Sequence, residues 1–207
     1  MAARLTRPEK KERTRADLLA AARTVFLRRG FHGASLDEIA EEAGYTKGAV
    51  YSNFADKDAL YLAVVDAHYE GRIESYAEIM QREPQSIEDA YRIVSRFMVE
   101  ADTREPNWLP TLAEFVAHAA QDDDLRRAYA HTRARFLAAV ADIIDELASR
   151  FGVSLRISAM EAARASSVLA RGYSAERRID PDAVTPDVFV EVHTAFMRGL
   201  TVQKGEK

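Results

Sequence analysis

The stretch from Gly30 to Lys57 reads GFHGASLDEIAEEAGYTKGAVYSNFADK, and it spells two short helices with a tight turn between them. Ser35 opens Ser-Leu-Asp-Glu, the pattern of a capping box with Glu38 at the third helical position. Behind it Leu36, Ile39, Ala40 and Ala43 give one apolar face, and Gly44 stops the helix. Thr46 caps a second helix over roughly Lys47–Phe54, in which Val50 and Phe54 turn inward with Ile39 and Ala43. The turn Ala43-Gly44-Tyr45-Thr46 has the length of a helix-turn-helix, whose second helix lies in the major groove of DNA. Lys47, Gly48, Ala49, Tyr51, Ser52 and Asn53 are left on the outer or N-terminal side, and each suits a duplex. Lys47 adds charge where free helix amides already favour phosphate. Gly48 and Ala49 lack bulk, so the helix can approach base edges, and the Ala49 methyl can meet a thymine methyl. Tyr51, Ser52 and Asn53 bring hydrogen-bonding groups, while Ser35 and Lys57 at neighbouring helix starts are expected to clamp flanking phosphates.

Outward from this stretch, nearly everything repeats at helical period, so the fold class is all-α with about nine helices. The first helix is expected over Lys11–Arg29, with Leu18, Ala22, Val25 and Phe26 on one stripe and Gly30 as a left-handed cap. A long fourth helix starts at Lys57 and reaches about Arg82. The fifth is capped by Ser86 and ends near Arg104, the sixth covers about Pro106–Gln121, and the seventh about Asp123–Phe151. Ser158 with Glu161 caps an eighth helix to about Ala175, and Thr185 with Pro186 opens a ninth to Leu200. Ser174–Thr185 reads as a surface loop. The organisation expected is a helix-turn-helix domain over residues 1–57 and a helical effector-binding and dimerisation domain over 58–207.

The net charge of −4 on 207 residues conceals a polarity. Between Met1 and Arg29 nine basic residues face three acidic ones, a net +6, so the remainder carries −10. That asymmetry points to a polyanion-binding end on an otherwise acidic chain. No stretch approaches the ~18 apolar residues of a membrane span, and no apolar run follows the basic N-terminus as in a secretory signal. With no cysteine, disulfide scaffolds, cysteine nucleophiles and thiolate zinc sites are excluded, and a cytoplasmic location is expected.

Residues Thr14 to Leu60 resemble the DNA-binding domain of the TetR (tetracycline-repressor-like) regulators. The resemblance rests on Gly30-Phe31, Ser35, Ile39-Ala40, Ala43-Gly44, and Lys47-Gly48-Ala49-Val50-Tyr51 with Phe54 and Lys57. It implies a ligand-responsive repressor that binds a pseudo-palindromic operator as a homodimer. A small-molecule effector in the C-terminal domain would move the fourth helix and release the DNA. The family's DNA contacts fall on Ser35, Lys47, Gly48, Ala49, Tyr51, Ser52, Asn53 and Lys57. Two positions depart from the pattern: Asn53 stands where histidine is frequent, and Tyr45 where a small aliphatic residue is usual.

In the family the last two helices form the dimer's four-helix bundle, and the sequence offers small residues on the eighth and an apolar stripe on the ninth. Ala163, Ser167, Ala170, Phe189, Val192, His193, Phe196 and Leu200 are the candidate interface residues. Phe97, Met98, Trp108, Leu112, Phe115, His118, Tyr129 and Phe136 are candidates to line an effector cavity, though the same residues would serve any helical core. Trp108 lies between Pro106 and Pro110, where a large ring could gate an entrance.

Catalysis is not expected. None of the five histidines has Glu three residues before it, which a di-iron bundle would need. His-Glu-x-x-His, Gly-x-Ser-x-Gly and a Gly-rich phosphate loop are missing, so neither a metal nor a cofactor is expected. Glu114 and His118 share a helix face and read as a solvated i,i+4 pair. The remaining alternative is a helical small-molecule-binding or adaptor protein without DNA binding. It differs from the regulator in predicting no salt-dependent duplex binding.

Overall fold

The computed structural model describes residues 6–80 and 83–203. Helix makes up 81% of it, in nine helices among the described residues. They are α1 (Arg7–Gly33), α2 (Leu36–Glu42), α3 (Lys47–Asn53), α4 (Lys57–Met80), α5 (Ile87–Arg104), α6 (Trp108–Ala119), α7 (Asp123–Arg150), α8 (Ala159–Ile179) and α9 (Pro186–Leu200). Two three-residue strands, β1 (Val153–Leu155) and β2 (Thr201–Gln203), pair antiparallel with Ser154 opposite Val202. These strands were not expected, because three residues are too few to show an alternating pattern.

The helix starts follow local chemistry. Ser35, Thr46, Ser86, Ser158 and Thr185 each accept the backbone N–H three residues on, as their positions predict. At Ser158 the box closes, with the Glu161 carboxylate accepting the Ser158 N–H at 2.9 Å. At Ser35 only half of it forms, because Arg28 and Arg29 hold the Glu38 carboxylate at 3.1 and 3.0 Å. Helix α1 starts four residues before the expected Lys11. Thr6-Arg7-Pro8-Glu9 is itself a capping box with Pro in the first turn, a signal available in the sequence. Helix α8 runs on to Ile179, so the first half of the expected Ser174–Thr185 loop is helical.

The chain divides into two compact units. One comprises the chain up to His68 together with Pro110–Thr132, and its core gathers Leu18, Val25, Phe26, Phe31, Ile39, Val50, Leu60, Tyr61, Leu112 and Phe115. Here Phe26, Phe31, Tyr61 and Phe115 meet edge to face or tilted, with ring centroids 4.7–5.2 Å apart for the Tyr61 and Phe115 pairings. The other unit comprises Tyr69–Leu109 and the chain from Arg133 onward. Its core packs Leu137, Ala141 and Ile144 of α7 against Ala159, Ala162 and Ala163 of α8, with Tyr91 and Met197 completing the cluster. The small residues of α8 therefore serve close approach inside this unit.

Candidate nucleic-acid interface

Helix α3 sorts by face as its spacing predicts. Val50 is fully buried and Phe54 nearly so, whereas Tyr51 is 51% exposed beside exposed Lys47, Gly48 and Ser52. Ala49 and Asn53 are half-buried. A ridge thus stands outward on an apolar base, and a Cβ at Gly48 would have only Thr46 Oγ1 near it, at 3.7 Å. Glycine is not demanded there by the protein itself, which leaves the space beyond it open.

The polar groups of the ridge already have local occupations. Lys47 Nζ donates to the Asp37 carboxylate at 2.8 Å, and this hydrogen bond raises its pKa further above the ordinary lysine value. Ser52 Oγ donates to Ala49 O at 2.8 Å, and Asn53 Nδ2 donates to the same carbonyl at 2.8 Å. Asn53 Oδ1 is buried and accepts nothing among the described residues. Ser35 spends one lone pair on the Glu38 N–H and remains exposed.

Lys57 has a different setting from the one expected. Its Nζ donates to the carbonyls of Phe31, Ala34 and His32 at 3.0, 3.3 and 3.4 Å and lies 4.7 Å from the Phe31 ring centre. It ties the end of α1 to the start of α4, using a charge to satisfy carbonyls that the helix end leaves open. The other departure, Tyr45, donates its hydroxyl to Asp17 at 2.9 Å and fastens the turn before α3 to α1. Arg15 supports α3 from below, donating to Asn53 O at 3.2 Å with its guanidinium over the Phe54 ring.

Glu114 and His118 are not a solvated pair. One Glu114 carboxylate oxygen accepts the His32 N–H at 3.1 Å, and His118 Nε2 lies 3.2 Å from the Asp58 carboxylate. One face of α6 thereby grips both the end of α1 and the start of α4. Spacing alone put the two residues on one face, but only tertiary packing supplies their partners.

The remaining effector candidates pack within their own units, Leu112, Phe115, Trp108 and Tyr129 buried and Phe97, Met98 and Phe136 half-buried. Phe115 and Leu112 are buried in the aromatic cluster, with Tyr129 5.8 Å from Phe115. Phe136 stacks on Tyr69 at 4.5 Å, Phe97 meets Tyr76 at 5.0 Å beneath Arg72, and Met98 packs by Val99, Tyr173 and Phe189. Trp108 is buried at the start of α6.

Most of the interface candidates also face inward. Ala163 and Phe189 are buried, and Ala170, Phe196 and Leu200 pack on the same cores. Ser167 accepts from Arg133 at 3.2 Å. His193 is buried between Ser95, 2.7 Å from Nδ1, and Ser166, 3.0 Å from Nε2, and burial pushes its pKa down to about 4. Of the eight, Val192 alone is exposed.

Residues 18–64 match the family model for bacterial regulatory proteins of the tetR family, and residues 87–202, more than half of the chain, match the model for the C-terminal domain of BetI-type transcriptional repressors. The chain belongs to the TetR family. Among curated TetR-type relatives, the transcriptional activator FasR of Mycolicibacterium smegmatis is 40% identical over 78 residues, 38% of this chain and 34% of FasR. The repressor NemR of Escherichia coli is 35% identical over 68 residues, 33% of this chain and 34% of NemR. The chain thus spans about a third of the length of these relatives. A TetR-family regulator structure from Mesorhizobium loti superposes with a TM-score of 0.73 at 21% identity, covering 95% of this chain and 97% of that one, which establishes the shared fold. Members of this family are transcriptional regulators rather than enzymes. No helix among the described residues is long and apolar enough to cross a membrane.

Proposed function

We propose that this TetR-family chain is a ligand-responsive repressor that binds a pseudo-palindromic operator as a homodimer, with α3 of each protomer in the major groove. One observation carries the reading: Tyr51, Lys47 and Ser52 stand outward on a helix whose Val50 and Phe54 are buried beneath them. The ridge is seven residues long and capped by Thr46, so its N-terminal amides and Lys47 both favour phosphate. Lys47 would exchange Asp37 for a phosphate oxygen, a trade between two anions.

The dimer surface is redrawn from the exposed faces of α8 and α9, which are neighbours in the fold. Val168, Gly172, Ala175 and Ile179 on α8, and Val188, Val192, Ala195 and Gly199 on α9, share the spacing i, i+4, i+7, i+11, and all are exposed. Val168 at 64% and Val192 at 53% leave an apolar surface that a second copy of the same two helices would cover. Effector response is assigned to α6, because its Glu114 and His118 hold both the end of α1 and the start of α4. A ligand that displaced α6 would pull on the helices that orient α3.

The test is a fluorescence-anisotropy titration of the full chain with duplex DNA from upstream of its own gene, at two salt concentrations. Binding is expected to weaken steeply with salt. Tyr51→Ala and Lys47→Ala are each expected to weaken it by at least about tenfold while the protein stays folded and dimeric. Salt-independent or absent binding, or full affinity in both variants, would overturn the reading.

A further inference from the structure

The helix-turn-helix end of the chain is basic, yet most of its cations are committed within the fold. Arg15 donates to Asn53 O, Arg28 and Arg29 hold Glu38 and Glu42, Lys57 holds three carbonyls, and Lys47 holds Asp37. At the N-terminal end of α1 the situation reverses. Arg7, Lys10 and Lys11 are exposed, and among the described residues no ion pair or side-chain hydrogen bond engages them. Glu9, the acid best placed to neutralise them, is turned back onto the cap. Its carboxylate accepts the Thr6 N–H at 2.7 Å and the Thr6 hydroxyl at 2.8 Å, and the backbone hydrogen bond lowers its pKa.

The row is also costly where it stands. Arg7, Lys11 and Arg15 lie at i, i+4 and i+8 on one side of α1, and like charges at that spacing destabilise a helix. Nothing described in the fold offsets the repulsion between Arg7 and Lys11. Both line a groove with Pro8 on one wall and Ser52 and Asn53, from the end of α3, on the other. Ser52 is next in sequence to Tyr51 and is exposed with it, so the groove continues the ridge described above.

We propose that Arg7 and Lys11 form a second DNA-contacting element. They would take backbone phosphates beyond those reached by α3, so that the first two turns of α1 and the end of α3 clasp one strand between them. The proposal rests on the DNA-binding reading of α3 and extends it to a part of the chain that precedes the matched helix-turn-helix region. Its occupant is duplex DNA, chosen by charge complementarity and by continuity with the α3 ridge. The contact reads no sequence; it adds affinity and salt dependence.

The experiment compares the full chain with the double variant Arg7→Ala/Lys11→Ala on a mixed-sequence duplex of about 30 base pairs, three helical turns. Anisotropy is followed across a salt series, with thermal unfolding in parallel. The variant is expected to bind about tenfold or more weakly at low salt. The slope of log affinity against log salt should fall by about two for each bound protomer, at about 0.9 per lost phosphate contact. Its melting temperature should be unchanged or slightly raised, since a repulsive pair is removed. An unchanged slope overturns the proposal, as does a fall in affinity that only tracks a lowered melting temperature. If the unmodified chain shows no salt-dependent duplex binding, the DNA-binding reading itself fails. If Lys47→Ala and Tyr51→Ala impair binding while the double variant does not, only the extension to α1 fails.

Discussion

Gly30 illustrates how one residue can be fixed for two reasons. Its backbone has φ 75° and ψ 172°, a region open in practice to glycine alone, and it divides α1 into a long arm and a short final turn. A Cβ built there would come 2.6 and 2.8 Å from the two Glu114 oxygens. The carboxylate could swing aside, at the loss of its bond to the His32 N–H, but the backbone conformation cannot be relieved. Gly30→Ala is therefore expected to cost at least about 1–3 kcal/mol in chemical denaturation, and adding Glu114→Ala should not restore it. Recovery of full stability in the double variant would show that crowding, rather than backbone conformation, demands the glycine. Lys57 makes a comparable case. With three carbonyls around its ammonium group, Lys57→Met should lower stability by about 1–3 kcal/mol, yet leave the salt slope of DNA binding untouched. A loss of slope without loss of stability would return Lys57 to the phosphate contacts expected from sequence.

Among the helices, α5, α8 and α9 are stitched by one buried imidazole. Ser95 donates to Tyr91 O at 2.7 Å and lies 2.7 Å from His193 Nδ1, while the Ser166 hydroxyl, which donates to Met197 Sδ at 3.6 Å, lies 3.0 Å from Nε2. Burial of the ring favours its neutral form. The folded pKa of about 4 lies below the unfolded value of 6.5, so between these pH values the unfolded chain binds the extra proton and the folded chain does not. Stability from this group is complete above about pH 6.5 and is lost as pH falls towards 4, with a full amplitude of roughly 3 kcal/mol. Unfolding free energies at a series of pH values should show this decline, and His193→Asn, which keeps a donor, should flatten it. A parallel decline in the variant would assign the effect to other groups.

For the whole molecule, the deciding question is which face of α8 and α9 remains uncovered. Phe189, Ala163 and His193 are consumed inside the protomer, whereas Val168 and Val192 are open. Charges introduced at the open row, as in Val168→Glu/Val192→Glu, are expected to leave the helical content intact and to convert the proposed dimer to a monomer by light scattering. Operator affinity should fall by orders of magnitude, because two heads no longer act as one ligand. Phe189→Ala should instead lower stability by about 3–5 kcal/mol, as deletion of a buried ring does. A dimer that survives the double glutamate variant would place the interface elsewhere.

The sequence by itself determined the helices, their caps and the face of α3 that looks outward. These are properties of residues three or four apart, and Val50 with Phe54, or Ser158 with Glu161, need no distant partner to declare their roles. The family resemblance was equally legible, because its motif lies in one short stretch. Tertiary structure decided everything that depends on residues far apart in the chain. It placed three carbonyls around the Lys57 ammonium group, gave Glu114 and His118 their partners on α1 and α4, and left Arg7, Lys10 and Lys11 without a side-chain partner among the described residues. It also chose which of two apolar stripes on α8 and α9 turns inward. A stripe at helical spacing records that a face is apolar; whether its own chain or another copy covers that face is settled only when the helices pack.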